Sequence, residues 1–128
     1  MIELVTAIIK DDNGKILISK NGKEQNENSF WEFPTGKIEI GETDEEAITR
    51  GIKENLNIEV SVNNYITEKS FDYEEKIINL IAYDAQYEYG KIPENKEYKW
   101  VNKKELNNYN FKPLDKFIVK ALNKNNEE

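Results

Sequence analysis

The stretch from Gly36 to Ile58 constrains this chain more than any other, because it reads as a glycine-bounded loop feeding one strongly signalled helix. Thr43 and Glu46 stand three residues apart in a capping-box arrangement, in which each side chain satisfies an amide that a helix start leaves open. Asp44, Glu45 and Glu46 crowd the first turn, where the helix dipole favours negative charge. Ala47, Ile48, Ile52 and Leu56 recur at helical spacing and form a stripe to be buried. Asn57, which tolerates the left-handed conformation, is placed to end the helix, so the expected span is about Asp44 to Leu56.

Strand signals dominate the remainder. Leu4 to Ile9 and Ile16 to Ser19 read as two strands joined by Asp11-Asp12-Asn13-Gly14, whose Asn-Gly pair suits a tight turn with positive φ angles. Asn21 to Ser29 is polar and without pattern, hence a loop, and it leads into Phe30-Trp31-Glu32-Phe33 and a break at Pro34. Ile58 to Tyr73 and Lys76 to Tyr89 are β-branched and aromatic, until Gly90 and Pro93 interrupt them. Glu97 to Val101 reads as a short strand and Lys103 to Asn108 as a short helix. Leu114 to Leu122 reads as a terminal helix carrying Leu114, Phe117, Ile118, Ala121 and Leu122. This order implies an α/β fold, a mixed β-sheet flanked by helices in an α/β/α sandwich. One domain over 1–122 is expected, followed by a polar tail, 123–128, with nothing to bury.

Charge and composition narrow the chemistry. A formal net charge of −7 argues against neutralising the phosphates of a nucleic-acid polymer. The same charge repels a free nucleotide, so a phosphate-bearing ligand requires a metal ion or a local lysine cluster to reverse the field at its site. The chain has no cysteine and no histidine, which removes thiolate and imidazole catalysis and leaves carboxylates to do any acid–base work. No segment reaches the length of a membrane span, and Met1 to Lys10 lacks a basic leader, so a cytoplasmic protein without a membrane partner is expected.

Trp31 to Ile58, WEFPTGKIEIGETDEEAITRGIKENLNI, resembles the Nudix box, G-x5-E-x7-R-E-U-x-E-E-x-G-U, where U is a bulky aliphatic residue. Gly36, Glu42, Arg50, Ile52, Glu54 and Ile58 fall on that pattern. The Trp-Glu-Phe-Pro run and Gly-Lys-Ile-Glu-Ile-Gly-Glu-Thr resemble the MutT-like branch that hydrolyses nucleoside triphosphates. The likeness continues through Glu94-x-x-Glu97-x-x-Trp100-Val101 to Phe111-Lys112-Pro113-Leu114-Asp115. It implies a magnesium- or manganese-dependent hydrolase that releases pyrophosphate and a nucleoside monophosphate from a nucleotide. A metal serves such a reaction by neutralising phosphate oxygens and making a hydroxide-like nucleophile from water.

The resemblance implies three box glutamates at i, i+3 and i+4 on the helix, and here those positions are Gly51, Glu54 and Asn55. Glycine offers no ligand and asparagine only a neutral carbonyl. Asn57 also departs from the pattern's glycine. Impaired activity with a weakly bound metal is therefore expected, or a nucleotide-binding or protein-interaction module that keeps the scaffold without turnover. Helix propensity leaves Gly51 unexplained, since glycine costs about 0.5–1 kcal/mol there.

The resemblance assigns Gly36, Glu54, Asn55 and Glu94 to the metal, Glu54, Arg50 and Glu94 to catalysis, and Lys20, Lys37 and Asp115 to substrate. Arg50 in that family orients carboxylates. Each has a plainer reading: Glu54 as a surface partner of Arg50, Glu94 or its neighbour Glu97 as a solvated loop residue, Asp115 as a helix cap, the lysines as solvated. Glu45 and Glu46 serve the helix dipole, and Trp31, Phe33 and Trp100 fill the core. Asp115, if it faces a base, accepts a hydrogen bond from an exocyclic amine such as that of cytosine or adenine.

Overall fold

A computed structural model describes residues 1–20 and 29–124. The strands are β1 (Ile2–Lys10), β2 (Ile16–Lys20), β3 (Trp31–Glu32), β4 (Thr35–Lys37), β5 (Ile58–Tyr73), β6 (Lys76–Gly90) and β7 (Tyr98–Val101). The helices are α1 (Asp44–Leu56) and α2 (Lys116–Lys124). Strand order is β3-β2-β1-β6-β5, with β4 paired to β1 and β7 to β2. β1 runs parallel to β6, from Ile2 opposite Ile78 to Lys10 opposite Gln86, while the other pairings are antiparallel. The sheet is therefore mixed, as expected.

Alternation along the strands separates two cores. Val5, Ala7 and Ile9 of β1, Leu17 of β2 and Ile81 and Ala85 of β6 pack with Ala47, Ile48, Ile52 and Leu56 of α1. Ile8, Ile16, Ile18, Leu80 and Ala82 point the other way, onto Trp31, Phe33, Phe111, Ile118, Val119 and Leu122. A period-two strand buried on both faces is apolar at nearly every position, which is why β1 reads as a continuous run.

Several local expectations are refined. Between β1 and β2, Asp11 accepts from the amides of Asn13 and Lys15, and only Gly14 takes a positive φ, 78°. The turn is thus three residues, with Gly14 alone left-handed, and not an Asn-Gly turn with both angles positive. Lys103–Asn108 is a 3-10 helix, and a further 3-10 turn, Pro113–Asp115, leads into α2. Asn123 and Lys124 continue α2 where a polar tail was expected, and the Asn123 amide donates to Asn107 Oδ1 at 3.0 Å. The expected loop from Asn21 lies outside the described residues as far as Asn28, as does the tail beyond Lys124. No described helix is long and apolar enough to cross a membrane.

Candidate functional site

α1 is anchored at both ends as its sequence demands. Thr43 accepts from the Glu46 amide at 3.1 Å and Glu46 accepts from the Thr43 amide at 2.9 Å. Asn57 closes the helix at φ 56°, and its amide donates to the Lys53 carbonyl, so asparagine performs the turn that the box pattern gives to glycine. Tyr83 on β6 donates to Asp44 at 2.6 Å, which fixes the first turn against the sheet and pushes the Tyr83 phenol up to about 12.

Arg50 ties the preceding loop to this helix. Its Nε and Nη2 donate to the two oxygens of Glu42 at 2.6 and 2.9 Å, a bidentate fork, and Nη2 also donates to the Lys37 carbonyl at 2.7 Å. The fork holds the Glu42 carboxyl down to about 2 and raises the guanidinium. Nη1 reaches Glu54 at 3.3 Å. Glu42 in turn accepts from the Glu39 amide, so one arginine orders the loop from Lys37 to Glu42.

Gly51 and Gly36 explain each other. A Cβ on Gly51 would stand 3.3 Å from the Gly36 Cα, and one on Gly36 would stand 3.3 Å from the Ala47 carbonyl oxygen. The helix lies directly on β4 because neither residue has a side chain at the crossing. Helix propensity alone left Gly51 without a reason, and this close approach supplies it.

Beside that crossing lies an open cavity of about 220 Å³. Gly51 and Asn55 form one wall, and Ser19, Lys20, Glu32, Thr35 and Lys96 bring groups from β2, β3, β4 and the loop before β7. Glu32 is engaged by Lys112 at 2.7 Å, and Lys112 stands 4.0 Å from Asp115. Asp115 is fully buried: Oδ2 accepts from the Phe33 amide at 2.9 Å, while Oδ1, the oxygen nearest Lys112, accepts no hydrogen bond. Burial pushes its carboxyl up to about 6, against the opposing pull of Lys112.

The remaining expected site residues lie apart from the cavity. Glu54 has a side chain 62% exposed and meets Arg50. Glu94 is 90% exposed and lies 3.9 Å from Lys91. Glu97 reaches Lys20 at 4.0 Å, and the Lys37 side chain is exposed. Trp31 and Phe33 are core residues, while Trp100 is half-buried against Tyr87. Lys96 was not marked by any motif in the sequence, and only the folding of its loop over the cavity brings it in.

Set against a divalent ion, this arrangement does not fit a protein-held metal. Among the described residues, no group of three or more acidic side chains stands close enough to hold one. The α1 wall of the cavity offers only Gly51 and the neutral Asn55.

Comparison with known proteins decides the family. A model of the NUDIX domain matches residues 5–121. The chain belongs to the Nudix family. It is 32% identical over 124 residues to the CTP pyrophosphohydrolase of Escherichia coli K12, covering 95% of this chain and 91% of that protein. An 8-oxo-dGTP diphosphatase of Haemophilus influenzae is 32% identical over 127 residues, covering 96% and 93%. The solved E. coli ORF135 protein superposes with a TM-score of 0.80 at 30% identity, covering 96% of this chain and 86% of that one. This Nudix domain is thus MutT-like along nearly its whole length, with relatives that hydrolyse nucleotides.

Proposed function

We propose that this chain is a nucleotide pyrophosphohydrolase of low turnover, cleaving a nucleoside triphosphate or a related nucleoside diphosphate-linked compound to a nucleoside monophosphate and pyrophosphate. The observation that carries the reading is the cavity on the Gly51–Asn55 face of α1, whose lining Glu32 is tied through Lys112 to the Asp115 oxygen that accepts no hydrogen bond. The phosphate chain takes the cavity, and the base lies toward Asp115. A carboxylate acceptor there selects an exocyclic amine, as on cytosine, over a carbonyl, as on uracil. The relation to a CTP pyrophosphohydrolase supports the same choice.

Low turnover follows from the lack of an acidic cluster among the described residues, because a poorly held metal gives a poor nucleophile. A second reading, nucleotide binding without turnover, is favoured by the same wall of Gly51 and Asn55. One experiment separates them. Pyrophosphate release is measured for CTP, dCTP, ATP, GTP, UTP and 8-oxo-dGTP with magnesium and with manganese, beside a binding titration of each. Slow release with cytidine or adenine nucleotides preferred supports the hydrolase, binding with no release supports the module, and UTP handled as well as CTP removes the role given to Asp115.

A further inference from the structure

We infer that the face built by Lys99, Tyr109 and the lysine flank of α2 binds single-stranded nucleic acid, with phosphates on the lysines and a base against the Tyr109 ring. The inference goes beyond the nucleotide reading and does not rest on it.

Charge segregation is the first ground. Residues 96–124 hold eight lysines against Glu97, Glu105 and Asp115, a balance of +5, whereas residues 1–95 hold ten basic and twenty acidic residues, a balance of −10. Glu127 and Glu128 supply the remainder of the net charge of −7, which argues against a phosphate polymer only when taken over the whole chain. α2 has three lysines and no acid. Lys116, Lys120 and Lys124 recur every fourth residue and share one flank, while Ile118, Val119 and Leu122 are buried. Like charges at this spacing repel, and Lys116 stands in the first turn, where the helix dipole disfavours a cation. Helix stability gives no reason for this row, and an array of phosphates does. Lys99, Lys116 and Lys120 are exposed, and among the described residues none of them forms an ion pair with a carboxylate.

An aromatic surface among these lysines is the second ground. The Lys99 ammonium lies 5.5 Å from the centre of the Tyr109 ring and 5.8 Å from that of Trp31, and the two rings meet edge to face at 5.5 Å. Tyr109, half-buried, also lines an open cavity of about 210 Å³ together with Asn110, Lys116 and Lys120. One ring thus joins Lys99 to the α2 lysines. This cavity shares no lining residue with the one beside Gly51 and Asn55. Lysines around an aromatic ring are the combination that holds a single strand, because every base has a face to stack and every phosphate a charge. Asn110 is exposed and adds an amide able to donate to and accept from a base edge. An anionic membrane is the poorer fit, since no large apolar side chain within 102–124 is exposed to enter it.

The test uses the full chain in EDTA and follows the fluorescence anisotropy of labelled oligouridylate and oligothymidylate of about fifteen nucleotides, without terminal phosphates, beside a duplex of the same length. Both single strands should bind more tightly than the duplex, the tighter of the two identifying the strand as RNA or DNA. The logarithmic salt slope should be about −2 for three lysine contacts. Lys116→Gln with Lys120→Gln should weaken binding about tenfold and bring the slope toward about −1. Tyr109→Ala should weaken it about tenfold with the slope unchanged. Lys53→Gln, on α1 across the sheet, removes the same charge and should stay within about twofold. Thermal melting confirms that each variant is folded, and if Tyr109→Ala is not, the lysine variants decide. Strand binding that ignores the α2 lysines, or that CTP displaces in EDTA, overturns the inference and leaves the proposed function standing. Binding to phosphatidylglycerol vesicles with none to either strand overturns it in favour of a membrane.

Discussion

Asp115 is a carboxyl kept where burial disfavours its charge, and that places a sign on its effect. Its folded value is raised to about 6 from an ordinary value of 3.8, so between these limits the folded chain holds a proton that the unfolded chain releases. Its contribution to stability is fully present below about pH 3.8 and is lost as pH rises through about 6, an effect of up to roughly 3 kcal/mol. Glu42 acts in the opposite sense: held down by Arg50, it stabilises above the ordinary carboxylate range and loses that contribution as pH falls toward 2. Asp115→Asn keeps an acceptor for the Phe33 amide and removes the titration. Melting temperature against pH should therefore show the variant gaining on the parent from pH 4 to pH 7, and parallel curves would show that Asp115 does not titrate there. Arg50→Lys tests the clamp, since an ammonium cannot span both Glu42 oxygens and the Lys37 carbonyl. Hydrogen exchange at the Glu39 and Glu42 amides should speed several-fold while that of Ile48 and Ile52 holds, and an unchanged loop would mean that Arg50 does not order it.

Among the elements, α1 is legible and its neighbours are only partly so. The capping box, the buried stripe and the terminator are local patterns, and all three recur in the structure because helix formation depends on residues within a turn or two of each other. Which strand lies beside which is not local. β1 pairs with β6, more than seventy residues away, and β2 with β7, and no alternation of apolar residues encodes such a choice. The cavity inherits this, since Ser19, Glu32, Asn55 and Lys96 meet only after those pairings form. Gly90, at the end of β6, and Gly51, inside α1, behave differently. A Cβ at Gly90, φ 113°, would lie 2.6 Å from the Asn57 carbonyl oxygen and 2.7 Å from the Ile58 Cα, both backbone atoms. Gly90→Ala should lose about 2 kcal/mol or more by chemical denaturation. Gly51→Ala sets a helix gain of about 1 kcal/mol against a 3.3 Å approach to Gly36, so its net change should stay within about 1 kcal/mol. Equal losses at the two positions would contradict the contact geometry.

Across the whole molecule, a chain of net charge −7 carries a cavity whose α1 wall, Gly51 and Asn55, has no charge. Gly51→Glu with Asn55→Glu tests what that wall lacks by placing two carboxylates on it, at the positions where the Nudix box carries glutamate. The new Cβ at position 51 would stand 3.3 Å from the Gly36 Cα, a backbone atom that must give by a few tenths of an ångström, while the cavity beyond leaves room for the carboxylate. Manganese binding, read by calorimetry, should become measurable, because oxygen ligands then converge on one helix face with Glu54. Pyrophosphate release from CTP should rise by one or more orders of magnitude, roughly the scale on which a well-held metal contributes, when compared at equal folded fraction. A folded, manganese-bound double variant that releases no pyrophosphate would show that restored ligands do not make this cavity a hydrolytic site, and nucleotide binding without turnover would become the better account of the chain.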